Sequence, residues 1–466
     1  MVQTHVSSDH IRQHFTAAMS KMYREEVPAY ADLVDIVDDV NSETIAQNSE
    51  VRNKIEAEGG ISTLNAERHG AIRVGKPEEL HILRRAFAVM GMFPVGYYDL
   101  SVAGLPVHST AFRPIKADAL AKNPFRIFTS LLRLDHIADE KLRNIAGDIL
   151  SKRQIVTNRA IELIEQAEIK SGLSHSQAEE FVSELLETFR WHSKACVDVS
   201  TYKSLKDQHP LIADIVSFAG PHINHLTPRV LDIDEAQRRM PLRGLNPKDS
   251  IEGPPLRKCP ILLRQTAFKA LNEAVKFADE NDEDTMGKHT ARFGEIEQRG
   301  IALTPKGRAL YDELLANAKN KSSQTDTPES KSYFDILKDE FQAFPDDWDV
   351  MRKEGLAYFY YQLTQAGKVD ANSGGLRQSL EALISDGLVE AIPITYQDFL
   401  PVSAAGIFRS NLSSNDEKLY ASDANQAQFE EDLGATVQDP FALYEMQQNH
   451  SIEKCLKMLN PVGCID

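Results

Sequence analysis

The stretch from Glu67 to Leu132 changes its hydrophobic period repeatedly, and that rhythm restricts the fold more than any other feature of the chain. Glu67-Arg68-His69-Gly70-Ala71-Ile72-Arg73-Val74-Gly75 is short, punctuated by glycine, and reads as a strand. Lys76-Pro77-Glu78-Glu79 then opens a helix, because proline and acids in a first turn suit its unpaired N–H groups and its dipole. Leu80, Leu83, Phe87 and Met90 lie on one stripe, and Gly91 is the stop. Val95 to Val102 and Val107 to Arg113 read as two strands joined through Ala103-Gly104-Leu105-Pro106, with a third from Phe125 to Leu132. A helix followed by several strands is the local rhythm.

The flanks are helical. Ser7, Ser8 or Asp9 caps a run carrying Ile11, Phe15, Ala18, Met19 and Met22, and a second run carries Tyr30, Leu33, Val34, Val37 and Val40. Residues near 139 to 210 return to helix, with a capping-box pattern at Ser174-His175-Ser176-Gln177. Phe218 to Val230 holds two prolines around His222 and His225, which suits a short strand or loop. Pro260 to Phe268 and Thr290 to Arg299 read as strands, and Thr304-Pro305 caps another helix. Residues 319–331 are the linker or loop expected between 1–318 and 332–466, which form one composite catalytic unit. Further strands are expected near Leu356–Leu363, Leu388–Ile394 and Val402–Phe408, with helices near Ser332–Gln342, Leu376–Ile384 and Pro440–Met458.

Composition removes several classes of function. Acids outnumber Lys and Arg 69 to 52, and a net charge of −17 opposes binding to nucleic acid or an anionic membrane surface. No apolar run approaches the roughly 20 residues of a membrane span, and the start of the chain lacks a secretory pattern, so a cytoplasmic location is expected. Cys196, Cys259, Cys455 and Cys464 are scattered, which fits a reducing compartment and argues against a thiolate zinc site. Ala302 to Leu310 and Leu376 to Leu383 resemble pieces of a winged-helix DNA-binding domain, but in reversed order and in an acidic chain.

Three polar elements carry the candidate chemistry: His69, the His222/His225 pair, and Glu295/Glu297. On a strand, His69 and Arg73 share a face with Ala71 between them. The plain alternative is a solvated strand face. Two imidazoles and one carboxylate on one side of a metal leave open positions opposite, the arrangement of non-haem Fe(II) sites that handle O₂ and a 2-oxo acid. Strand alternation makes His222 and His225 face opposite ways, so one alone is a ligand. Glu295, Glu297 and Arg299 share a face with Phe293, as one ligand, one supporting acceptor and a neutralising partner. Gly294 between them permits a close backbone approach.

Several long blocks, in order, resemble the 2-oxoadipate dioxygenase/decarboxylase family. They are Glu67 to Arg73, Ala88 to Ser101, Val107 to Pro114, Asn224-His225-Leu226-Thr227-Pro228-Arg229, Arg292 to Gly300, and Phe399-Leu400-Pro401-Val402-Ser403-Ala404-Ala405-Gly406. The resemblance implies an α+β fold: a vicinal-oxygen-chelate-like mixed curved sheet around a metal, with large helical insertions. It implies Fe(II) held by His69, His225 and Glu295, with Glu297 as the alternative, and Arg73, Val402 and Ser403 at the substrate. The implied activity is conversion of 2-oxoadipate and O₂ to 2-hydroxyglutarate and CO₂, in lysine catabolism. The competing expectations are a non-oxidative isomerase or lyase of the glyoxalase kind and a metal-stabilised ligand-binding or regulatory protein. The expected partners are a 2-oxo dicarboxylate and O₂, with no nucleic acid and no membrane; the oligomeric state is left open.

Overall fold

The computed structural model describes residues 5–57, 60–278, 285–323, 332–370, 379–400 and 423–459. By residue contacts the chain divides into two compact units. The first comprises Met1–Glu252, Gln265–Gln298 and Asp398–Gln438. The second comprises Gly253–Arg264, Arg299–Gln397 and Asp439–Asp466.

The first unit is built around a curved seven-stranded sheet, and the strand–helix–strands rhythm is what begins it. Strand β1 (Glu67–Val74) leads into a helix at Pro77–Val89, then β2 (Phe93–Asp99), β3 (Val107–Arg113) and β4 (Arg126–Leu132). Pro77 takes the first helical position, as expected. Glu79 does more than face the helix dipole. It is buried, accepts the Gly75 N–H at 2.8 Å and pairs with Arg153 at 2.6 Å, so it ties the end of β1 to the start of the helix.

A long helical insertion follows β4, including Glu140–Ser151, Asn158–Lys170, His175–Leu186, Val199–Gln208 and Pro210–Val216. The capping box at Ser174 and Gln177 is formed in full. Strand β5 (Ile223–Pro228), β6 (Leu263–Ala267), β7 (Asn272–Phe277), β8 (Thr285–Thr290) and β9 (Phe293–Arg299) complete the strands of this region. The sheet order is β2-β3-β4-β1-β5-β9-β6, while β7 and β8 form a separate antiparallel ribbon. β1 runs parallel to β4 and antiparallel to β5, and β5 runs parallel to β9. Thr290 to Arg299, expected as one strand, is divided between β8 and β9 at Ala291-Arg292. Arg292 is buried there, ion-paired to Glu26 and Glu273 and stacked on Trp191, so the chain turns to serve that cluster.

The convex face of the sheet is covered by helices Ser8–Glu26 and Pro28–Gln47. Ile11, Phe15, Met19, Tyr30, Leu33 and Val37 join Ile72, Val74, Phe112, Ile127 and Leu226 in one apolar cluster. Tyr23 donates from its hydroxyl to the carbonyl oxygens of Phe293 and Asn224, and Tyr30 donates to Glu67 at 2.5 Å. The second unit contains helices Pro305–Ser323, Tyr333–Glu340 and Pro440–Leu459 and the antiparallel pair β10 (Phe359–Leu363) and β11 (Val389–Pro393). Residues 319–323 of the expected linker continue the first of these helices, and 324–331 lie outside the described residues. The strand expected at Val402–Phe408 also lies outside them.

Gly294 shows how tightly the helices clasp the sheet. A Cβ added there would lie 2.5 Å from Phe268, 2.8 Å from Leu33 and 2.9 Å from Tyr30. Gly294→Val is expected to cost about 1–3 kcal/mol by overpacking. Urea unfolding of the chelated protein measures this, and unchanged stability would mean that the helix yields without cost.

Candidate metal centre

All eight residues of β1 are buried, so each of its faces has a distinct partner layer. Gly70, Ile72 and Val74 face the helices; a Cβ on Gly70 would fall 2.7 Å from Ile223 Cδ1 and 2.9 Å from Leu226 Cδ2. His69, Ala71 and Arg73 face the concave side, as strand alternation requires.

The ladder between β1 and β5 slips: Ala71 pairs with His225 but Ile72 pairs with Ile223, which leaves Asn224 as a bulge. Ile223 and Leu226, three apart, therefore reach the same side of the sheet. Strict alternation does not hold across this stretch, and it is not what distinguishes the two histidines. His222 lies just before β5 and turns to Asn224 (3.1 Å) and Asp214 (3.6 Å), whereas His225 joins His69 and Glu295.

Ligand atoms of His69, His225 and Glu295 all lie within 4.8 Å of one another, and all three residues are buried. The two imidazole rings are perpendicular with centroids 5.4 Å apart. His69 Nδ1 is 2.8 Å from Glu297 Oε2. A carboxylate only accepts, so Nδ1 carries the hydrogen and Nε2 is left to point at Glu295 Oε1, 2.9 Å away. Thr227 Oγ1 lies 3.0 Å from the same Nε2, and Gln265 donates to Glu295 Oε1 at 2.7 Å. The cation beside Glu297 is Arg126, at 3.6 Å, in the place expected for Arg299. Arg299 instead donates to the Tyr396 carbonyl.

Strand register arranges the concave face in rows. Arg126 lies beside His69, Phe128 beside Ala71 and Ser130 beside Arg73. On β3, Ala111 lies beside Phe128 and Ser109 beside Ser130, with the two serine hydroxyls 2.8 Å apart. A charged row is thus followed by an apolar row and then by a second polar row. Arg73 Nη1 donates to Asp214 at 2.6 Å. The Phe399 ring meets His69 edge-to-face with centroids 4.8 Å apart and Phe128 with centroids 5.0 Å apart, and its neighbour Asp398 takes two hydrogen bonds from Arg113. Val402 and Ser403, a few residues further on, lie outside the described residues.

The chain matches the 2-oxoadipate dioxygenase/decarboxylase family over residues 15–411. It belongs to this family. A curated 2-oxoadipate dioxygenase/decarboxylase from Pseudomonas putida is 53% identical over 98% of each chain, and one from Escherichia coli is 51% identical over 97% of this chain and 98% of that one. The crystal structure of the hydroxyglutarate synthase in complex with 2-oxoadipate from Pseudomonas putida aligns with a TM-score of 0.89 at 50% identity, covering 98% of this chain and 99% of that chain. The α+β fold with a curved mixed sheet expected of a 2-oxoadipate dioxygenase/decarboxylase is therefore the fold of this chain.

The donors fit a metal on three counts. His225 Nδ1 and Glu295 Oε2 are buried without a hydrogen-bond partner, a costly state for a polar atom. Two acceptors, His69 Nε2 and Glu295 Oε1, approach to 2.9 Å, which calls for a cation or a proton between them. Burial pushes His225 down to about 3, so its ring is neutral and able to coordinate at pH 7. Burial works against charge on His69, but Glu297 and Glu295 outweigh it and hold that ring above the ordinary histidine value. Among the described residues no other group of three His, Cys, Asp or Glu meets the same distance test.

Thr227, Gln265, Arg126 and Asp214 escaped the sequence reading. The first two are neutral and carry no motif of their own. Asp214 did leave a signal, since an acid stands alone within Leu211-Ile212-Ala213-Asp214-Ile215-Val216. Glu295 stands in the group of three that could hold a metal, whereas Glu297 lies against Nδ1 of the His69 ring. Glu297→Gln is expected to weaken metal binding about 10–100-fold, and Glu295→Gln to weaken it more. Competition against a chelator measures both, and equal losses would return Glu297 to the ligand set.

Proposed function

We propose that this protein is an Fe(II)-dependent dioxygenase that converts 2-oxoadipate and O₂ to 2-hydroxyglutarate and CO₂. The observation that carries the reading is the layering of the concave face. The His69/His225/Glu295 trio, an apolar row of Ala71, Phe128 and Ala111, and a polar row of Arg73, Ser130 and Ser109 follow one another along the strands. A 2-oxo dicarboxylate has the same order of chemistry: a chelating 2-oxo acid, a methylene chain and a distant carboxylate. His69 and Arg73 are separated by about 13 Å of strand, partly closed by the long arginine side chain.

His69, His225 and Glu295 would hold the metal from one side, and Glu297 keeps the His69 ring in the tautomer that coordinates. Bound Fe(II) supplies open positions for the 2-oxo acid and O₂ and the electrons that activate O₂. Arg73, always charged and able to make a two-pronged contact, takes the far carboxylate and sets the reach of the substrate. Phe399 and Phe128 line the space beside the metal with apolar surface and limit water there. Val402 and Ser403 are proposed substrate neighbours on the family resemblance of the block from Phe399 to Gly406. Both oxygen atoms of O₂ enter 2-hydroxyglutarate, one in the carboxylate formed at the former 2-oxo carbon and one in the new hydroxyl group, while CO₂ leaves with the two oxygens of the original C1 carboxylate.

We further assign the reaction to lysine catabolism in the cytoplasm; the free thiols of Cys196, Cys259 and Cys455 suit a reducing compartment. Among the described residues no helix is long and apolar enough to cross a membrane.

Oxygen uptake with a panel of 2-oxo acids tests the activity. Uptake should be greatest with 2-oxoadipate, vanish on chelation and return with Fe(II). Turnover that persists without oxygen would overturn the reading. Arg73→Lys keeps the charge but loses the fork, and is expected to raise the KM for 2-oxoadipate about tenfold or more. Unchanged turnover at low substrate would remove Arg73 from the substrate contacts.

A further inference from the structure

Arg73 is not held by its own strand alone. Its Nη1 donates to Asp214 Oδ2 at 2.6 Å, and the other oxygen of Asp214 lies 2.8 Å from His289 Nε2. His289 Nδ1 lies in turn 2.8 Å from the Tyr202 hydroxyl. The direction of each bond follows from the chemistry. A carboxylate accepts, so His289 Nε2 carries a hydrogen; in the neutral ring Nδ1 is then an acceptor, and Tyr202 donates to it. The relay Tyr202–His289–Asp214–Arg73 is consistent from end to end.

Its four members come from four elements: helix Val199–Gln208, strand β8, helix Pro210–Val216 and strand β1. All four are buried. Aromatic side chains wall it: Trp191 stacks on His289 with planes 15° apart, and Phe218 lies 5.0 Å from the same ring. None of the four is a member of the metal-binding trio. A guanidinium presents five N–H groups in one plane, so anchoring a single nitrogen fixes the direction of the others.

We propose that Asp214, oriented by His289 and Tyr202, is the positioning residue that aims Arg73 and thereby makes the site selective for 2-oxo acids with a second carboxylate. This rests on the proposed role of Arg73 at the far carboxylate. Asp214 touches no substrate in this scheme. Its contribution is to hold the arginine fork in one plane before substrate arrives, which lowers the ordering cost of binding.

The test is anaerobic calorimetric titration of the Fe(II)-loaded protein with 2-oxoadipate and with 2-oxohexanoate, which has the same carbon chain but no second carboxylate. Asp214→Asn should weaken binding of the diacid about tenfold and change binding of the monoacid by less than about twofold. Tyr202→Phe removes one hydroxyl at constant charge and almost constant volume, and should weaken the diacid alone by about threefold. It decides the matter if Asp214→Asn does not fold. In oxygen uptake the same variants should raise the KM for 2-oxoadipate with kcat retained. Discrimination between the two acids that survives in both variants would overturn this proposal alone. Tighter binding of the diacid by Asp214→Asn would also overturn it, because Asp214 would then compete for Arg73 rather than aim it. Equal affinity of the unmodified protein for both acids would overturn the Arg73 reading, and this proposal with it.

Discussion

The structure depends on one strand that is buried on both faces and still carries a histidine and an arginine. Water cannot meet those charges in β1, and an isolated buried charge costs several kcal/mol. Among the described residues, Glu295, Glu297 and Thr227 answer them around His69, and Asp214 against Arg73. The helical insertion between β4 and β5 is needed for this reason as much as for bulk, since it supplies Asp214. The convex side obeys the opposite rule and is closed by apolar contact with the two N-terminal helices.

The two carboxylates of β9 show how position alone separates roles. Glu295 and Glu297 have the same chemistry and the same alternation, yet one faces the shared centre and the other faces the back of an imidazole ring. Arg126, contributed by β4, stands beside Glu297 and keeps the inner acids from accumulating unbalanced charge. A ring held at Nδ1 has only one nitrogen left for an ion, so the contact with β9 fixes which nitrogen of His69 faces Glu295.

Much of this was legible in the chain. The period changes between Glu67 and Leu132 marked β1, its helix and the next three strands, because the helix buries one regular stripe while the strands are short apolar-rich runs bounded by turn residues. The blocks around His69, His225 and Glu295 marked three residues that the fold brings together. Other features left weaker traces. β7 alternates clearly only at its end, where Val275 and Phe277 are buried and Lys276 is exposed, and Asn272, Glu273 and the exposed Ala274 hid the strand. The bulge at Asn224 carries no composition signal, and without it the geometry of His222 and His225 is misread. The pairing of Arg73 with Asp214 spans 141 positions and depends on tertiary packing, which periodicity does not report. Arg299 illustrates the reverse case: its sequence position favoured Glu297, but its hydrogen bond goes to Tyr396.

The central pairing of β1 with β5 has a consequence for how the protein is made. His69 and Glu297 are 228 positions apart, and the strands that join them meet only after the long helical insertion has been passed. Closing so large a loop carries an entropic cost that the hairpin β2–β3 and the helices, built from local contacts, do not face. A ribosome delivers the histidine long before its carboxylate partners exist, and a partly synthesised chain carries an uncommitted metal donor. The three donors of the candidate centre come from β1, β5 and β9, so they stand together only once those strands have paired.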